Sequence, residues 1–246
     1  MLTAAAFVPS PPLLVPQLAG AAASETDRLR RAALDVAGRL ADSCVEWTAI
    51  GVAEVGRGPA DVAPESCGTF RGFGVDLPVS LSDAPPTAPD PDMPLAALVA
   101  GWLRGRAAPS VRVRVRTLAA DTPAAECTQL GARLRADFDE STTAQGLLVI
   151  ADGANTLTDK APGAFDERSA DVEAALDRAL AAGDPAALAA LDPELCAAVG
   201  LAGRAAWQVL SGVFGDVTGT GQPRKAESSY SGAPYGVGYH VGMWLP

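Results

Sequence analysis

The run Gly146-Leu147-Leu148-Val149-Ile150-Ala151, followed by Asp152-Gly153-Ala154-Asn155, decides the fold. It is too short for an ordinary helix and too uniformly apolar for a strand with one face in water. Runs of this kind form strands buried on both faces, as in parallel sheets covered by helices on two sides. The polar turn then stands at the strand's C-terminal end, where open α/β sheets bind their ligands.

The flanking sequence repeats the alternation. Residues 3–8 predict a buried strand, followed by the Pro-rich turn Pro9-Ser10-Pro11-Pro12-Leu13-Leu14-Val15-Pro16. Ser24 offers an N-cap for a helix over Glu25–Ser43, with Asp27 in its first turn. Leu29, Ala33, Val36, Ala37 and Leu40 share one face of it. Trp47–Val52 predicts another buried strand, and 56–76 is Gly-rich with no helical period. Prolines at 78, 85, 86, 89, 91 and 94 make the next stretch an exposed loop, because Pro at this density suits neither helix nor central strand.

Helices follow over Leu95–Arg104 and Ala124–Phe138. Between them Val111-Arg112-Val113-Arg114-Val115-Arg116 alternates strictly, a strand with valines inward and arginines outward. That arginine face is either solvated beside acidic neighbours or a surface for an anionic partner, and the overall charge favours the first. Ser169–Ala182 predicts a helix stopped by Gly183, and Asp184 and Asp192-Pro193-Glu194 start two shorter ones. Gly219–Ser229 reads as a polar loop. Tyr235–Leu245 reads as a terminal strand whose Gly236, Gly238 and Gly242 admit another backbone. With no repeat and no dividing linker, the pattern predicts one domain over 1–246: a three-layer α/β/α sandwich around a central mixed, largely parallel sheet.

Composition narrows the function. The 246 residues are 48% hydrophobic and 20% charged, with a net charge of −10. That excludes a disordered chain. No apolar run reaches the roughly 18 residues of a membrane span, and the acidic balance argues against a duplex-binding surface. Neither a membrane nor a nucleic acid is expected as partner. The N-terminal Met1–Val8 is apolar but lacks a basic start and runs into prolines, so it reads as a first strand, not a signal peptide. Cys44, Cys67, Cys127 and Cys196 contain no C-x-x-C pair and read as reduced, mostly buried thiols of a cytoplasmic protein. Seventeen arginines against two lysines, Lys160 and Lys225, in an Ala-rich chain fit the codon bias of a GC-rich genome.

The single histidine, His240, is the most restrictive count. It rules out sites built from two or more histidines, and any Ser/His/Asp triad in which His240 is not the base. On a period of two it shares a face with Gly238, Gly242 and Trp244, and it reads as a hydrogen-bonded structural or surface residue. Ser10 stands at a strand exit but in no G-x-S-x-G elbow. Asp152, Asn155, Asp159, Lys160, Asp166 and Glu167 crowd behind the central strand. They form either a polar-ligand or acid–base group, or a loop ion pair with acids placed favourably at a helix N-terminus. Gly56-Arg57-Gly58-Pro59 lacks the context of a phosphate loop, and no cofactor is expected.

Four segments, in order, resemble the class III extradiol ring-cleavage dioxygenase B-subunit superfamily, which includes the Memo-like proteins. They are Phe7–Pro16, Gly68–Asp76, Leu147–Arg168 and Ala233–Tyr239. The resemblance is to a bacterial branch of unassigned function. It implies that a ferrous-iron histidine of active members, in a Pro-His-Pro-Pro context, is replaced by Ser10. A second metal-site histidine falls in Gly51-Val52-Ala53-Glu54, where Glu54 is the one ligand type. The catalytic histidine that ends a Gly-Asp-Leu-Ser-His motif falls on Asn155, with Asp152 kept. The expectation is a diverged relative without iron-dependent ring cleavage and with no metal. It binds a small polar ligand or a protein partner, or a second copy, at the strand ends. Ser10, Glu54, Asp152, Asn155, Lys160, Asp166 and Tyr235 are its candidate pocket residues. The alternative is an enzyme of altered chemistry, either Mg²⁺- or Mn²⁺-dependent through Glu54, Asp152 and Asp166, or metal-free with Asp152 and Lys160 in acid–base roles. A third reading is an interaction protein using strand 111–116 and the Pro-rich loop.

Overall fold

Four strands carry the centre of the molecule: β1 (Leu2–Val8), β2 (Glu46–Val52), β6 (Arg112–Leu118) and β7 (Gln145–Ile150). The computed structural model describes residues 1–20, 24, 26–84, 88–215, 223 and 225–246. The seven-stranded sheet has the order β3-β6-β2-β7-β1-β9-β8. Its four central strands run parallel, while β3 (Ala60–Val62), β9 (Tyr239–Leu245) and β8 (Lys225–Gly232) run antiparallel at the flanks. A small separate ladder pairs β4 (Cys67–Thr69) with β5 (Pro78–Ser80).

Helices cover both faces. A short α1 (Pro16–Ala19) leads to α2 (Asp27–Ser43), which with α3 (Leu95–Ala107) packs on the side of Ala4, Ala6 and Val8. The opposite side, with Ala5, Phe7, Leu147 and Val149, takes α4 (Ala124–Glu140), α5 (Ser169–Ala182), α6 (Pro185–Ala189), α7 (Pro193–Ala198) and α8 (Arg204–Phe214). This is the three-layer α/β/α sandwich with a mixed sheet and a parallel centre. β1 and β7 are buried on both faces, as their unbroken apolar sequences require.

Several predicted boundaries shift. Helix α2 begins at Asp27 after Thr26, so Ser24 is not its cap, and Glu25 lies outside the described residues. Pro85 and Pro86 of the predicted loop also lie outside them. Lys225–Ser229 is not loop but the start of β8, whose ladder with β9 supplies the order that its polar sequence does not advertise. The terminal strand starts at Tyr239, because Pro234–Gly236 forms a 3₁₀ turn.

Helix α8 has no counterpart in the sequence reading. All eleven of its residues are buried, yet Arg204, Gln208 and Ser211, at helical spacing, give it a polar stripe whose partners lie inside the protein. It lies so close to α4 that a Cβ on Gly131 would come 2.2 Å from the Val209 carbonyl oxygen, and one on Gly212 2.1 Å from that of Thr128. Phe7 and Trp207, and Phe214 and Trp244, meet edge to face with ring centroids 5.9 and 5.3 Å apart. On β6, Arg112 and Arg116 bond Glu65 and Asp61, so this arginine face is partnered by acids. All four cysteines are buried thiols.

Candidate functional site at the ends of the parallel strands

The parallel strands end level. Val8 pairs with Ile150 and Val52 with Leu118. Although β7 follows β6 in sequence, it inserts between β2 and β1, so the winding reverses there. Beyond these ends lies a cleft of about 510 Å³. Such crevices are where doubly wound sheets place their ligands. Its walls are the residues that follow each strand, among them Ser10, Glu54, Asp121 and Asp152, together with the N-terminus of α3.

Asp152 and Ser10 close one wall. One Asp152 oxygen accepts the Ser10 backbone N–H at 2.8 Å, and the other accepts the Ser10 hydroxyl at 2.6 Å. Burial pushes the Asp152 carboxyl up to about 6. The two Ser10 donors pull against that rise, the neighbouring Glu173 charge adds to it, and His240 opposes it. The Asp152 carbonyl accepts Trp207 Nε1–H at 3.2 Å, and Gly203 approaches so closely that a Cβ there would lie 2.2 Å from the same oxygen. The base of the site is therefore pinned by the buried helix α8.

Glu54 closes the wall opposite. Gly51 lets Ala96 approach the end of β2, since a Cβ on Gly51 would sit 2.4 Å from the Ala96 Cβ. That contact sets the first turn of α3 beside Glu54, whose Oε1 accepts the Leu95 N–H at 2.9 Å. Pro94 offers no side-chain cap, so the carboxylate satisfies an orphan donor and places negative charge at the positive helix end. Its Oε2 is buried and meets no hydrogen-bond donor.

Behind the 152–154 turn lies a second polar cluster. Glu173 on α5 accepts the Ala154 N–H at 2.8 Å, and His240 Nε2 donates to its other oxygen at 2.7 Å. His240 Nδ1 lies 3.3 Å from an Asp177 oxygen without a hydrogen bond. Glycine makes room here: a Cβ on Gly153 would fall 2.3 Å, and one on Gly238 1.6 Å, from a Glu173 oxygen. The backbones of Gly153 and Gly238 bond each other directly at 2.8 Å.

Of the sequence candidates, Ser10, Glu54 and Asp152 come together on the cleft. The others do not line it. The Asn155 side chain is turned against Gly200, where a Cβ would lie 1.9 Å from its Oδ1. Lys160 is exposed. Asp166 bonds Arg168, which holds its carboxyl down to about 2. Tyr235 sits 38% exposed in the 3₁₀ turn at φ 62°, the one described non-glycine residue with positive φ. Glu173 and Asp177 were not among the candidates. Their one sequence signal is an i,i+4 pair of acids on a predicted helix, which ordinarily marks a solvated face. Among the described residues, no group of three or more His, Cys, Asp or Glu side chains is placed to hold a metal ion.

These features define an α/β/α sandwich protein with a strand-end cleft. No family model matches the chain, and no curated protein does. Among solved structures it is similar to the uncharacterized protein JW3007 from Escherichia coli K12. The two share 10% identity at a TM-score of 0.51, over 99% of this chain and 100% of that one. At this identity the likeness concerns the fold.

Proposed function

We propose that this chain is a diverged member of the extradiol dioxygenase B-subunit-like superfamily, that it lacks iron-dependent ring cleavage, and that it binds a small polar ligand in the strand-end cleft. The observation that carries the reading is the pairing of Ser10 with Asp152 through two hydrogen bonds at the cleft wall. Ser10, at the resembled iron position, and Asp152, of the resembled catalytic-histidine segment, are thus engaged with each other. They do not fit ferrous iron, because a two-histidine, one-carboxylate set is absent and Ser is a poor ligand for it. The single histidine is spent on Glu173, on the far side of the 152–154 turn. Iron analysis of the purified protein, with catechol turnover assayed in added Fe²⁺, tests the proposal. No turnover and no stoichiometric iron are expected. Stoichiometric iron that is lost on Asp152→Ala would overturn it.

A second reading is favoured by one observation: the Asp152 carboxyl, pushed up to about 6, sits beside a hydroxyl on the cleft wall. A carboxyl in that range suits general acid–base work near neutral pH. In this reading Asp152 exchanges the proton and Ser10 orients it. Lys160 takes no part, and Asp166, engaged by Arg168, adds no third carboxylate to Glu54 and Asp152. A turnover screen against esters, amides and hydroxy acids, repeated on Asp152→Asn, tests it; activity that survives the substitution counts against this reading.

A further inference from the structure

We infer that His240 is a proton-operated latch: as an imidazolium it ties Glu173 and Asp177 of α5 to β9, and loss of its proton frees Asp177 and loosens the turn that carries Asp152. The inference does not depend on what the cleft binds.

The first support is the placement of the ring. Nε2 lies 2.7 Å from a Glu173 oxygen and Nδ1 3.3 Å from an Asp177 oxygen, and the His240 side chain is 3% exposed. A neutral imidazole carries one N–H and one lone pair. With a carboxylate at each nitrogen, either neutral tautomer turns its lone pair on an acceptor. The imidazolium alone has a donor for both.

The second support is Nδ1 itself, which is buried without a hydrogen-bond partner. A buried polar atom left in this way costs on the order of 1–3 kcal/mol. A proton on Nδ1 makes it a donor facing Asp177, and a small turn of that side chain completes a charge-assisted bond.

The surrounding charge agrees. Glu173 and Asp177 stand one turn apart on one face of α5. Asp152, beyond the 152–154 turn, is close enough for both His240 and Glu173 to act on its charge. The other charged residues of α5, Asp171 and Arg178, are exposed, and Arg178 is one position off the Asp177 face. The β8 neighbour of His240 is Ser231, and β1 has no charged residue. Helix α2 packs on the opposite face of the sheet with Tyr230 and Tyr239. Among the described residues, no cation from these elements opposes the imidazolium.

The two tethers differ in freedom. Glu173 is boxed in by Gly153 and Gly238, and its second oxygen holds the Ala154 N–H. Asp177 is 42% exposed. When the ring loses its proton, the Nε2–H stays with Glu173, and the bare Nδ1 repels Asp177, which turns to water. The Glu173 bond then loses its cationic donor. The effect reaches the strand-end turn, whose Gly153 N–H and Ala154 carbonyl bond the Gly238 backbone at 2.8 and 2.9 Å.

The test is NMR of the ¹⁵N-labelled full chain, in which the single histidine gives one pair of ring nitrogen signals. At pH 7 both nitrogens are expected to carry a proton and to resonate together. Two widely separated signals, the mark of a neutral tautomer, overturn the inference. Asp177→Asn changes a partly exposed residue and is expected to weaken proton binding by the ring about tenfold. A ring titration equal to that of the native protein overturns the inference. As the native ring becomes neutral, hydrogen exchange at the Ala154 amide is expected to rise about tenfold beyond ordinary base catalysis. In His240→Gln, which keeps an N–H donor for Glu173, that extra rise is expected to vanish. If it persists there, or if the native protein shows none, the ring does not operate the turn and the latch fails.

Discussion

Two carboxylates flank the 152–154 turn and differ in what closes around them. Glu173 has a backbone N–H on one oxygen and the only histidine on the other, and glycines at 153 and 238 leave it no spare space. Asp152 has both oxygens on a single residue, Ser10, and stands at the wall of a cleft of about 510 Å³. The first group is a clamp that ties α5 and β9 to the strand-end turn. The second also has a donor on each oxygen, but burial outweighs them and pushes its carboxyl upward. Enclosed, fully partnered charge reads as structure; a perturbed carboxyl on a cleft reads as a site.

The largest expected effect lies on the closed side. Glu173→Ala leaves the Ala154 N–H and His240 without their acceptor, and it is expected to cost about 3–5 kcal/mol, the usual loss when one member of a buried pair is removed. Urea unfolding measures this. A loss below about 1 kcal/mol would mean that the clamp does not hold the turn.

Asp152→Asn probes the open side through pH. The native carboxyl titrates near 6 and the unfolded one near 3.8, so between those values the native state holds a proton that the unfolded chain has released. Stability contributed by Asp152 is therefore full below about pH 4, falls as pH rises to 6, and is flat above. The fall is on the order of 3 kcal/mol, and the Asn variant should lack it. Unfolding free energies of both proteins at pH 4, 5, 6 and 7 give the comparison; an increase with pH over this window would reverse the assignment.

Smaller effects refine the contrast. Glu54→Ala removes the acceptor of the Leu95 N–H and the charge at the start of α3, and should cost about 1 kcal/mol by thermal unfolding. Glu54→Gln should cost less, because it keeps an acceptor for the Leu95 N–H and loses only the charge. Lys160→Ala, on an exposed residue away from the cleft, should change stability by less than about 0.5 kcal/mol by thermal unfolding. A loss above about 1 kcal/mol would mean that the 155–166 loop leans on this side chain.

Much of the frame is written locally. The apolar runs of β1, β2 and β7 declare strands buried on both faces, and the alternation of Val and Arg on β6 declares a strand with one wet face. Asp184 and Asp192 cap their helices as expected, accepting the Ala187 and Leu195 N–H groups at 3.0 and 2.7 Å. Gly183 ends α5 in the left-handed region at φ 65°. Helix α8 carries a local period too, since Arg204, Gln208 and Ser211 recur at helical spacing, but only the tertiary structure buries that polar stripe with the rest of the helix. Strand β8 was hidden because its polar residues take their order from β9 and not from a hydrophobic face.

The sequence by itself determined the fold class, the placement of Ser10 and Asp152 at strand exits, and the scarcity of histidine that excludes a histidine-built metal centre. These depend on short-range periodicity and on counts. Only the tertiary structure decided which polar residues meet. Ser10 and Asp152 join across 142 positions and Glu173 and His240 across 67. Asn155 and Asp166, although close to Asp152 in sequence, turn to other partners. The physical reason is that strand order sets these meetings. The insertion of β7 between β2 and β1, and the return of β9 beside β1, bring distant strand ends together at a separation that no local pattern encodes.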